Sequence, residues 1–393
     1  MDKATEDRMF ELSEEQEAIK KAVREFGEKE LKPMGREYDQ SGEFPHEIYK
    51  KACDLGYIGA SIPSEYGGAG ADQIVNIIIG EELCRADSTL GYSIKLGDLA
   101  VHMVLMYGTE DQKKRYVSLI PKGGISALGI TESDAGSDVV GIKTRAVKDG
   151  DEWVINGSKM FCSNASVADW IQVIAVTAPE AGHRGLSAFI VETDREGVQS
   201  FPIDKMGRHA QPTCDVTLEE VRIPGENLIG EEGRGFYQVM DQLAASRLNT
   251  AGIHVGIAQG AFDRALEYTN ERKAFKRNIN EFQYIQHKLA DMKISIETAR
   301  FFTYKAAWKF DQGYLPTEAS AMAKLVAGEL ARKVTIDAID VMGGHGYARE
   351  MDVERFHRDA MAGPLVEGTT SILKNTIANV ILGKLPPEKK LKR

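Results

Sequence analysis

The sequence has few cysteines, and they are not arranged as a metal site. Among its 393 residues, Cys53, Cys84, Cys162 and Cys214 are the only cysteines, and no C-x-x-C pair occurs. This scatter argues against a zinc ribbon or a disulfide framework and is typical of reduced, structural thiols. We therefore expect no metal-binding site.

Long apolar segments and a positive charge excess are also absent. No run approaches the ~20 apolar residues that a membrane-spanning helix requires. The N-terminal stretch Met1-Asp-Lys-Ala-Thr-Glu-Asp-Arg8 is polar and acidic, unlike a signal peptide. We expect a cytoplasmic protein without a membrane span, although a processed organellar chain would look the same. The net charge of −10 argues against a nucleic-acid partner, because phosphate binding needs a basic surface.

The order of the patterns predicts three domains in an α+β protein. The chain is 42% hydrophobic and 27% charged, as in globular proteins, and is too long for one ordinary core. Residues 1–125 show helical periodicity, beginning with the capping box Ser13-Glu-Glu-Gln16. Residues 126–235 consist of short β-rich runs separated by turns, and residues 236–393 return to helical patterns that indicate a helical bundle.

A single carboxylate near the C-terminus is the first candidate for chemistry. Glu367 follows apolar Pro364, Leu365 and Val366 and precedes Gly-Thr-Thr-Ser. A carboxylate in apolar surroundings has a raised pKa and is a better base near neutral pH. Alternatively, it is a turn residue before a helix N-cap, where an acid interacts favourably with the helix dipole. These residues alone leave both interpretations open.

A second stretch has the composition of a cofactor loop. Ile130-Thr-Glu-Ser-Asp-Ala-Gly-Ser-Asp-Val139 offers several hydroxyls and the backbone around a glycine, but no lysine. It is therefore not a P-loop, and no G-x-G-x-x-G follows a strand to indicate a Rossmann site. Small hydroxyls and backbone amides suit a flat polar heterocycle.

Several segments together resemble the acyl-CoA dehydrogenases along nearly the whole chain. The resemblance rests on these segments, in the family's order and spacing: Pro63-Ser-Glu-Tyr-Gly-Gly, Ile130-Thr-Glu-Ser-Asp-Ala-Gly-Ser-Asp, Asn156-Gly-Ser-Lys-Met-Phe-Cys-Ser-Asn, Glu271-Arg-Lys-Ala-Phe, Gly343-Gly-His-Gly-Tyr, Arg358-Asp-Ala and Glu367-Gly-Thr. It implies a helical N-terminal domain, a central β-barrel, a C-terminal four-helix bundle, bound FAD, a homotetramer, an acyl-CoA substrate and electron transfer flavoprotein as oxidant.

The resemblance also implies roles for individual residues. Glu367 is expected to remove the α-proton of an acyl-CoA while flavin N5 accepts the β-hydride. Arg247 matches an arginine associated with the CoA portion. Residues expected to bind FAD are Leu128, Ile130, Thr131 and Ser137 beside the flavin, Phe161 and Ser163 at the isoalloxazine ring, Arg272 and Phe275 from a neighbouring subunit with Gln283 nearby, and Gly343, Gly344, Thr369 and Ser371 at the adenine side.

The sequence departs from the family pattern in ways that concern the substrate. Lys276 replaces the glycine usual after Phe275, and no arginine follows the segment of Glu367 at Asn375. The helix from Ser88 to Asp98 lacks the arginine with which glutaryl-CoA dehydrogenases hold a distal carboxylate. A glutaryl substrate is therefore disfavoured, although the chain resembles the glutaryl-CoA and cyclic acyl-CoA branch.

Asp98 is unusual in a helix that normally lines the acyl pocket with small or apolar groups. It either faces solvent, pairs with Lys95 or His102 as helical neighbours, or enters the pocket as a second base or polar contact. Some relatives that oxidise cyclic acyl-CoAs have an aspartate in this region.

These observations predict an FAD-dependent dehydrogenase of a short, branched or alicyclic acyl-CoA, including the cyclohexanecarboxyl-CoA type. The alternatives are Asp98-based oxidation of a cyclohexenecarboxyl-CoA to a conjugated diene, a glutaryl-CoA dehydrogenase, and a non-catalytic flavoprotein such as an assembly factor. The presence of Glu367 argues against the last alternative. An acyl-CoA oxidase is a further alternative, but those chains are usually much longer.

Overall fold

Helices form both ends of the chain and a curled sheet forms its middle. The computed structural model describes residues 11–391. The N-terminal helices are α1 (Glu14–Phe26), α2 (Gly35–Ser41), α3 (His46–Asp54), α4 (Gln73–Ala86), α5 (Ser88–Lys95), α6 (Val101–Tyr107) and α7 (Glu110–Tyr116). A π-helical turn, Gly27–Leu31, extends α1, and a 3-10 turn, Leu96–Asp98, extends α5.

Side-chain caps determine where several of these helices begin. The predicted capping box of Ser13 with Gln16 is present at α1, and Thr109 with Gln112 forms a second one at α7. Asp87 caps α5 by accepting a hydrogen bond from the amide of Leu90. Each cap satisfies amides that have no partner within the helix, so the chain enters these helices at defined residues.

The middle of the chain forms one seven-stranded sheet with the order β1-β4-β2-β3-β7-β6, while β5 pairs with β4. The β1–β4 and β2–β4 pairs are parallel and the others are antiparallel. The strands are β1 (Ser126–Gly129), β2 (Arg145–Asp149), β3 (Glu152–Ser163), β4 (Trp170–Val176), β5 (Leu186–Glu192), β6 (Val198–Pro202) and β7 (Thr213–Pro224).

Long helices return after the sheet and form the C-terminal bundle. Its principal helices are α8 (Gly235–Glu271), α9 (Gln283–Asp311), α10 (Thr317–Met342) and α13 (Thr370–Ile381), with the short helices α11 (Gly344–Tyr347) and α12 (Val353–Ala360) between α10 and α13. Two-residue strands form the pairs β8–β9 (Lys273–Ala274, Arg277–Asn278) and β10–β11 (Tyr314–Leu315, Lys389–Lys390).

Two large apolar cores hold these layers together. One joins the N-terminal helices to the inner face of the sheet, and the other lies inside the bundle and includes residues of α4 and α5. The predicted arrangement of helices, β-domain and helices is therefore confirmed. Among residues 11–391, no helix is both long and apolar enough to cross a membrane.

Candidate active site

The loop that carries Glu367 lies between α12 and α13 and has an unusual backbone. Glu367 adopts a φ of 51°, in the left-handed region that non-glycine residues seldom occupy. Arg247 of α8 donates from Nε to the Glu367 carbonyl at 3.0 Å. Lys324 of α10 donates from Nζ to the carbonyl of Gly368 at 2.7 Å. Two buried basic side chains therefore hold consecutive peptide groups of this loop.

The side chain of Glu367 borders a small cavity. The buried atom Glu367 Oε2 has no hydrogen-bond partner among the described residues. Burial raises the pKa of Glu367, and the positive charges of Arg247 and Lys324 and the hydroxyls of Thr250 and Ser246 oppose this rise. The cavity is lined by Lys95, Leu96, Asp98, Leu99, His102, Ser246, Asn249, Thr250 and Glu367.

Residues distant in sequence surround the side chain of Glu367. The cavity that it borders is lined by side chains of α5, α6 and α8 and of the turn after α5. Leu365, one of the apolar residues before Glu367, is 65% exposed. The alternative of a turn residue before a helix N-cap agrees with the structure as well, because Thr369, two residues after Glu367, caps α13 by accepting from the amide of Ile372.

Asp98 lies in the same cavity wall as Glu367 and is ion-paired. It is 8% exposed, which excludes the solvent-facing alternative. Its Oδ2 accepts hydrogen bonds from Lys95 Nζ at 3.2 Å and from the Gly59 amide at 3.3 Å. His102 lines the cavity too, and burial lowers the pKa of its imidazole. Of the alternatives given for Asp98, the ion pair with Lys95 and the location in the cavity wall are therefore both observed.

Two segments that carry residues predicted to lie beside a flavin are joined by hydrogen bonds. The amide of Met160 donates to the Thr131 carbonyl at 2.8 Å, and Lys159 Nζ donates to the Ile130 carbonyl at 3.2 Å. The loop after β1 is thereby joined to the end of β3, and we call these two segments the flavin edge. β1 and the loop after it carry Leu128, Ile130, Thr131 and Ser137, and the end of β3 carries Phe161 and Ser163.

The chemistry of this edge fits a flavin. Phe161 sits at an irregularity of the β3–β7 pairing, with a φ of 58° and 57% of its surface exposed, so its ring is available for stacking. Within the described chain, the hydroxyls of Thr131, Ser137 and Ser163 form no hydrogen bond with another protein group. A flat heterocycle can stack on an aromatic ring and can form hydrogen bonds with hydroxyls that have no protein partner.

A second group of predicted FAD contacts gathers at one end of the bundle. Arg272 ends α8, and Phe275, 91% exposed, lies in the turn between β8 and β9. Gln283 begins α9, and Gly343 and Gly344 join α10 to α11. The Tyr268 hydroxyl, one turn before Arg272, lies 3.2 Å from His345 Nδ1. That contact places the glycine pair beside the end of α8.

One chain does not bring this second group to Glu367. Gly343 lies roughly 28 Å along α10 from Lys324, given a rise of 1.5 Å per residue. Thr369 and Ser371, by contrast, begin α13 directly beside Glu367. The residues predicted for the adenine side are thus divided between two places in a single chain.

Several site residues were not anticipated from the sequence. Lys324 reaches the Gly368 carbonyl from another helix, and Ser246, Asn249 and Thr250 line the cavity. Ser246 and Thr250 are four residues apart and adjoin Arg247, so helical spacing from that arginine could have identified them. No local pattern distinguishes Lys324 from the other lysines of α10.

Three family models match successive parts of the chain. They are the acyl-CoA dehydrogenase N-terminal domain at residues 13–123, the middle domain at residues 127–221 and the C-terminal domain at residues 233–382. The fold and site are thus those of a flavin-dependent oxidoreductase. The chain belongs to the acyl-CoA dehydrogenase family and is an FAD-dependent acyl-CoA dehydrogenase.

Similar proteins cover essentially the whole chain. A probable acyl-CoA dehydrogenase, YngJ, of Bacillus subtilis is 41% identical over 95% of this chain and 99% of its own length. Glutaryl-CoA dehydrogenase of Desulfococcus multivorans is 39% identical over 95% and 98%, respectively. The butyryl-CoA dehydrogenase structure from Megasphaera elsdenii superposes with a TM-score of 0.92 at 36% identity, covering 95% of this chain and 99% of that one.

Proposed function

We propose that this enzyme introduces an α,β double bond into a short, branched or alicyclic acyl-CoA, such as cyclohexanecarboxyl-CoA, with Glu367 as the base. The observation that carries this proposal is the buried oxygen Glu367 Oε2, which borders the cavity and has no protein partner in the described chain. The carboxylate takes the α-proton, and the electron pair of that C–H bond forms the double bond as the β-hydride leaves. FAD, when bound, supplies the hydride acceptor.

The electrostatics of the site support this role for Glu367. Burial raises the pKa of Glu367, which makes the carboxylate a stronger base than an exposed glutamate. Arg247 and Lys324 limit the rise, so the carboxyl group stays able to ionise. Arg247 is only 5% exposed and already binds the Glu367 carbonyl, so we assign it to the base loop as well as to the CoA side.

We assign the FAD contacts to the two groups of residues described above. The flavin edge, formed by the loop after β1 and the end of β3, would hold the flavin ring through Thr131, Phe161 and Ser163. The bundle end with Arg272 and Phe275 would contact the pyrophosphate of FAD bound to a neighbouring subunit, since it lies far from Glu367 of its own chain. This division supports a homotetramer. Electron transfer flavoprotein is the proposed electron acceptor, on the family resemblance.

A second candidate reaction is favoured by the position of Asp98. Asp98 and Glu367 are acids in the wall of one cavity. A ring substrate could present one carbon to Glu367 and a more remote carbon to Asp98. In the oxidation of a cyclohexenecarboxyl-CoA to a conjugated diene, Asp98 would take the single proton, from the remote carbon, in place of Glu367, and FAD, when bound, would accept the hydride. Glutaryl-CoA is a weaker candidate substrate. The ammonium of Lys95, which could have bound its distal carboxylate, already binds Asp98.

Replacement of Glu367 by glutamine tests the proposed base. Because an amide cannot accept the α-proton, Glu367→Gln should keep FAD and CoA-ligand binding while its flavin reduction by acyl-CoAs slows by about 10²–10⁴-fold or more. The measurement is anaerobic bleaching of the flavin with a panel of acyl-CoAs. Glu231→Gln, at an exposed position, is the matched control. Activity of Glu367→Gln within tenfold of the parent would show that another residue is the base, and Asp98 would be the first candidate.

A further inference from the structure

One face of α10 supports the whole loop that carries Glu367. Near its middle, α10 approaches the start of the loop so closely that a Cβ on Gly328 would lie 2.9 Å from the carbonyl carbon of Gly363. One residue further on, Glu329 Oε1 accepts a hydrogen bond from Thr370 Oγ1 at 2.7 Å. Together with the bond from Lys324, these contacts fix both ends of the loop to one rigid helix.

Burying the ammonium group of Lys324 costs free energy of folding. Its side chain is 1% exposed, and among residues 11–391 it forms no ion pair. Burial lowers the pKa of Lys324 to about 8. A buried ammonium without a carboxylate partner destabilises a fold unless something compensates it. Its hydrogen bond goes to the Gly368 carbonyl, and the charge that most favours its protonated form is that of Glu367.

The loop needs such support because its backbone is strained. Glu367 and Gly368 have consecutive positive φ values, 51° and 99°. Glycine tolerates this conformation, but glutamate does so only where surrounding contacts enforce it. A flexible loop would let the carboxylate leave the cavity, so contacts with the two carbonyls help to determine where the base sits.

We propose that Lys324 is a positioning residue for Glu367, which holds the base loop through the Gly368 carbonyl and supplies positive charge that keeps the Glu367 carboxylate ionised. This inference rests on the proposed role of Glu367 as the base. It separates two contributions of one side chain: a hydrogen bond that a neutral donor can replace, and a charge that only a cation supplies.

Other charged and titratable groups face Glu367 from each surrounding helix. Arg247 on α8 adds a second positive charge, and Tyr92 on α5 is neutral because burial raises its pKa. Lys95 and Asp98 form an ion pair in the cavity wall, and neighbouring His102 is disfavoured as a cation because burial lowers its pKa. Arg208 and Glu329 also act on Lys324, the first lowering and the second raising its pKa, and His254 is neutral because burial lowers its pKa to about 3. Arg247 and Lys324 are the two cations that lower the pKa of Glu367 most, and neither forms an ion pair with a carboxylate among residues 11–391.

The direction of the pH effect follows from the charge. Removing a nearby cation destabilises the carboxylate form of Glu367, so its pKa rises further. An opposite charge at close range shifts a carboxyl pKa by roughly one to three units. Base activity should then appear at higher pH, with the largest deficit near pH 6. The deficit should shrink towards pH 9, where Lys324, with its pKa of about 8, has itself lost its charge in the parent enzyme.

Three variants separate charge from hydrogen bonding. Lys324→Met removes both contributions, and Lys324→Gln removes the charge while keeping a donor of similar reach. Lys333→Met, on the same helix but half-exposed and paired with Asp337, is the matched control. Flavin reduction by a good acyl-CoA substrate is measured from pH 5.5 to 9.5 in each holoenzyme. The protonation of Glu367 is followed independently by infrared difference titration against Glu367→Gln.

Both Lys324 variants should shift the infrared midpoint of Glu367 and the rising limb of the rate profile upward by at least about one pH unit. Only Lys324→Met should lose rate at every pH in addition. If rates fall equally at all pH values with no shift in either titration, Lys324 is merely structural and the inference is wrong. If Lys324→Met does not fold, Lys324→Gln still tests whether the charge of Lys324 keeps Glu367 ionised. An active Glu367→Gln would instead refute the proposed base, so the two failures are distinguishable.

Discussion

Asp98 combines two properties that seldom coexist at one residue, burial in an ion pair and access to a substrate cavity. Its bond to Lys95 compensates the buried charge of both side chains, so its presence is physically stable without a catalytic task. Its position in the wall of the cavity that Glu367 borders nevertheless offers a second acid to any substrate large enough to reach it. Structure alone is compatible with a structural and a catalytic role, and substrate selectivity separates them.

We predict that Asp98→Asn impairs ring substrates more than linear ones. The asparagine oxygen can still accept from Lys95 and Gly59, so the cavity should keep its shape, but the amide is not a base. Flavin bleaching by cyclohexenecarboxyl-CoA, for which Asp98 is the proposed base, should slow by about 10²-fold or more, while bleaching by butyryl-CoA changes little. Without the substitution, the ring substrates should also react faster than butyryl- or glutaryl-CoA. Equal losses of bleaching rate with ring and linear substrates, or no loss with either, would show that Asp98 has only a structural role.

At the scale of elements, the close packing of α4 against α8 positions the residues around Glu367. A Cβ on Gly256 of α8 would lie 2.2 Å from the carbonyl oxygen of Glu81 in α4, so only glycine permits this approach. The same helix α8 carries Ser246, Arg247 and Thr250. Moving α8 away from α4 would therefore change both the stability of the bundle and the geometry of the site.

Two glycine-to-alanine variants test this packing. Gly256→Ala should destabilise the protein by about 1–3 kcal/mol, because its methyl group meets backbone that cannot shift. Gly80→Ala in α4 is the matched control, since its methyl group would meet Ile253 and Lys95 at 3.5 Å or more. Because alanine favours helix, Gly80→Ala should be neutral or stabilising by up to about 1 kcal/mol. Thermal and denaturant unfolding measure both effects, and equal stabilities would show that the α4–α8 contact is not tight.

On the surface of the whole molecule, the bundle exposes several large apolar side chains. Tyr284, Ile294 and Trp308 of α9 are 67%, 64% and 42% exposed, and Ile381 at the end of α13 is 73% exposed. Apolar groups in such positions are typical of surfaces that become buried on assembly. They agree with the proposal that a neighbouring chain completes the FAD site.

We predict a particle of about four times the 43.3 kDa chain mass with about one FAD per chain. If each site depends on Arg272 and Phe275 of a neighbour, as proposed, the double variant Ile294→Glu/Trp308→Glu should form smaller particles and lose flavin. Light scattering gives the mass and the absorbance ratio gives the flavin content. Val147→Glu, on an exposed apolar residue of the sheet, should change neither. A monomer with full flavin content would contradict the shared site.

The fold class was predictable because its signals are local. Helix caps such as Ser13, turn residues between short β-rich runs, and the motif segments in order are all readable along the chain. The identity of Glu367 as the candidate base belongs to the same class of information, since it depends on the segment Glu-Gly-Thr. Its raised pKa from burial was predicted as well, although Leu365, one of the adjacent apolar residues, is 65% exposed and side chains distant in sequence line the cavity.

The order of the domains, the family, the cofactor and the candidate base Glu367 could all be inferred from local sequence. The groups that surround Glu367 could not, because they come together only in the folded chain. Lys324 meets Gly368 across 44 positions, and Arg247 meets Glu367 across 120. Such contacts depend on how helices pack, which many residues set jointly through burial and close approach. Local patterns identify the groups that do chemistry, whereas packing decides which charges they experience and how firmly they are held.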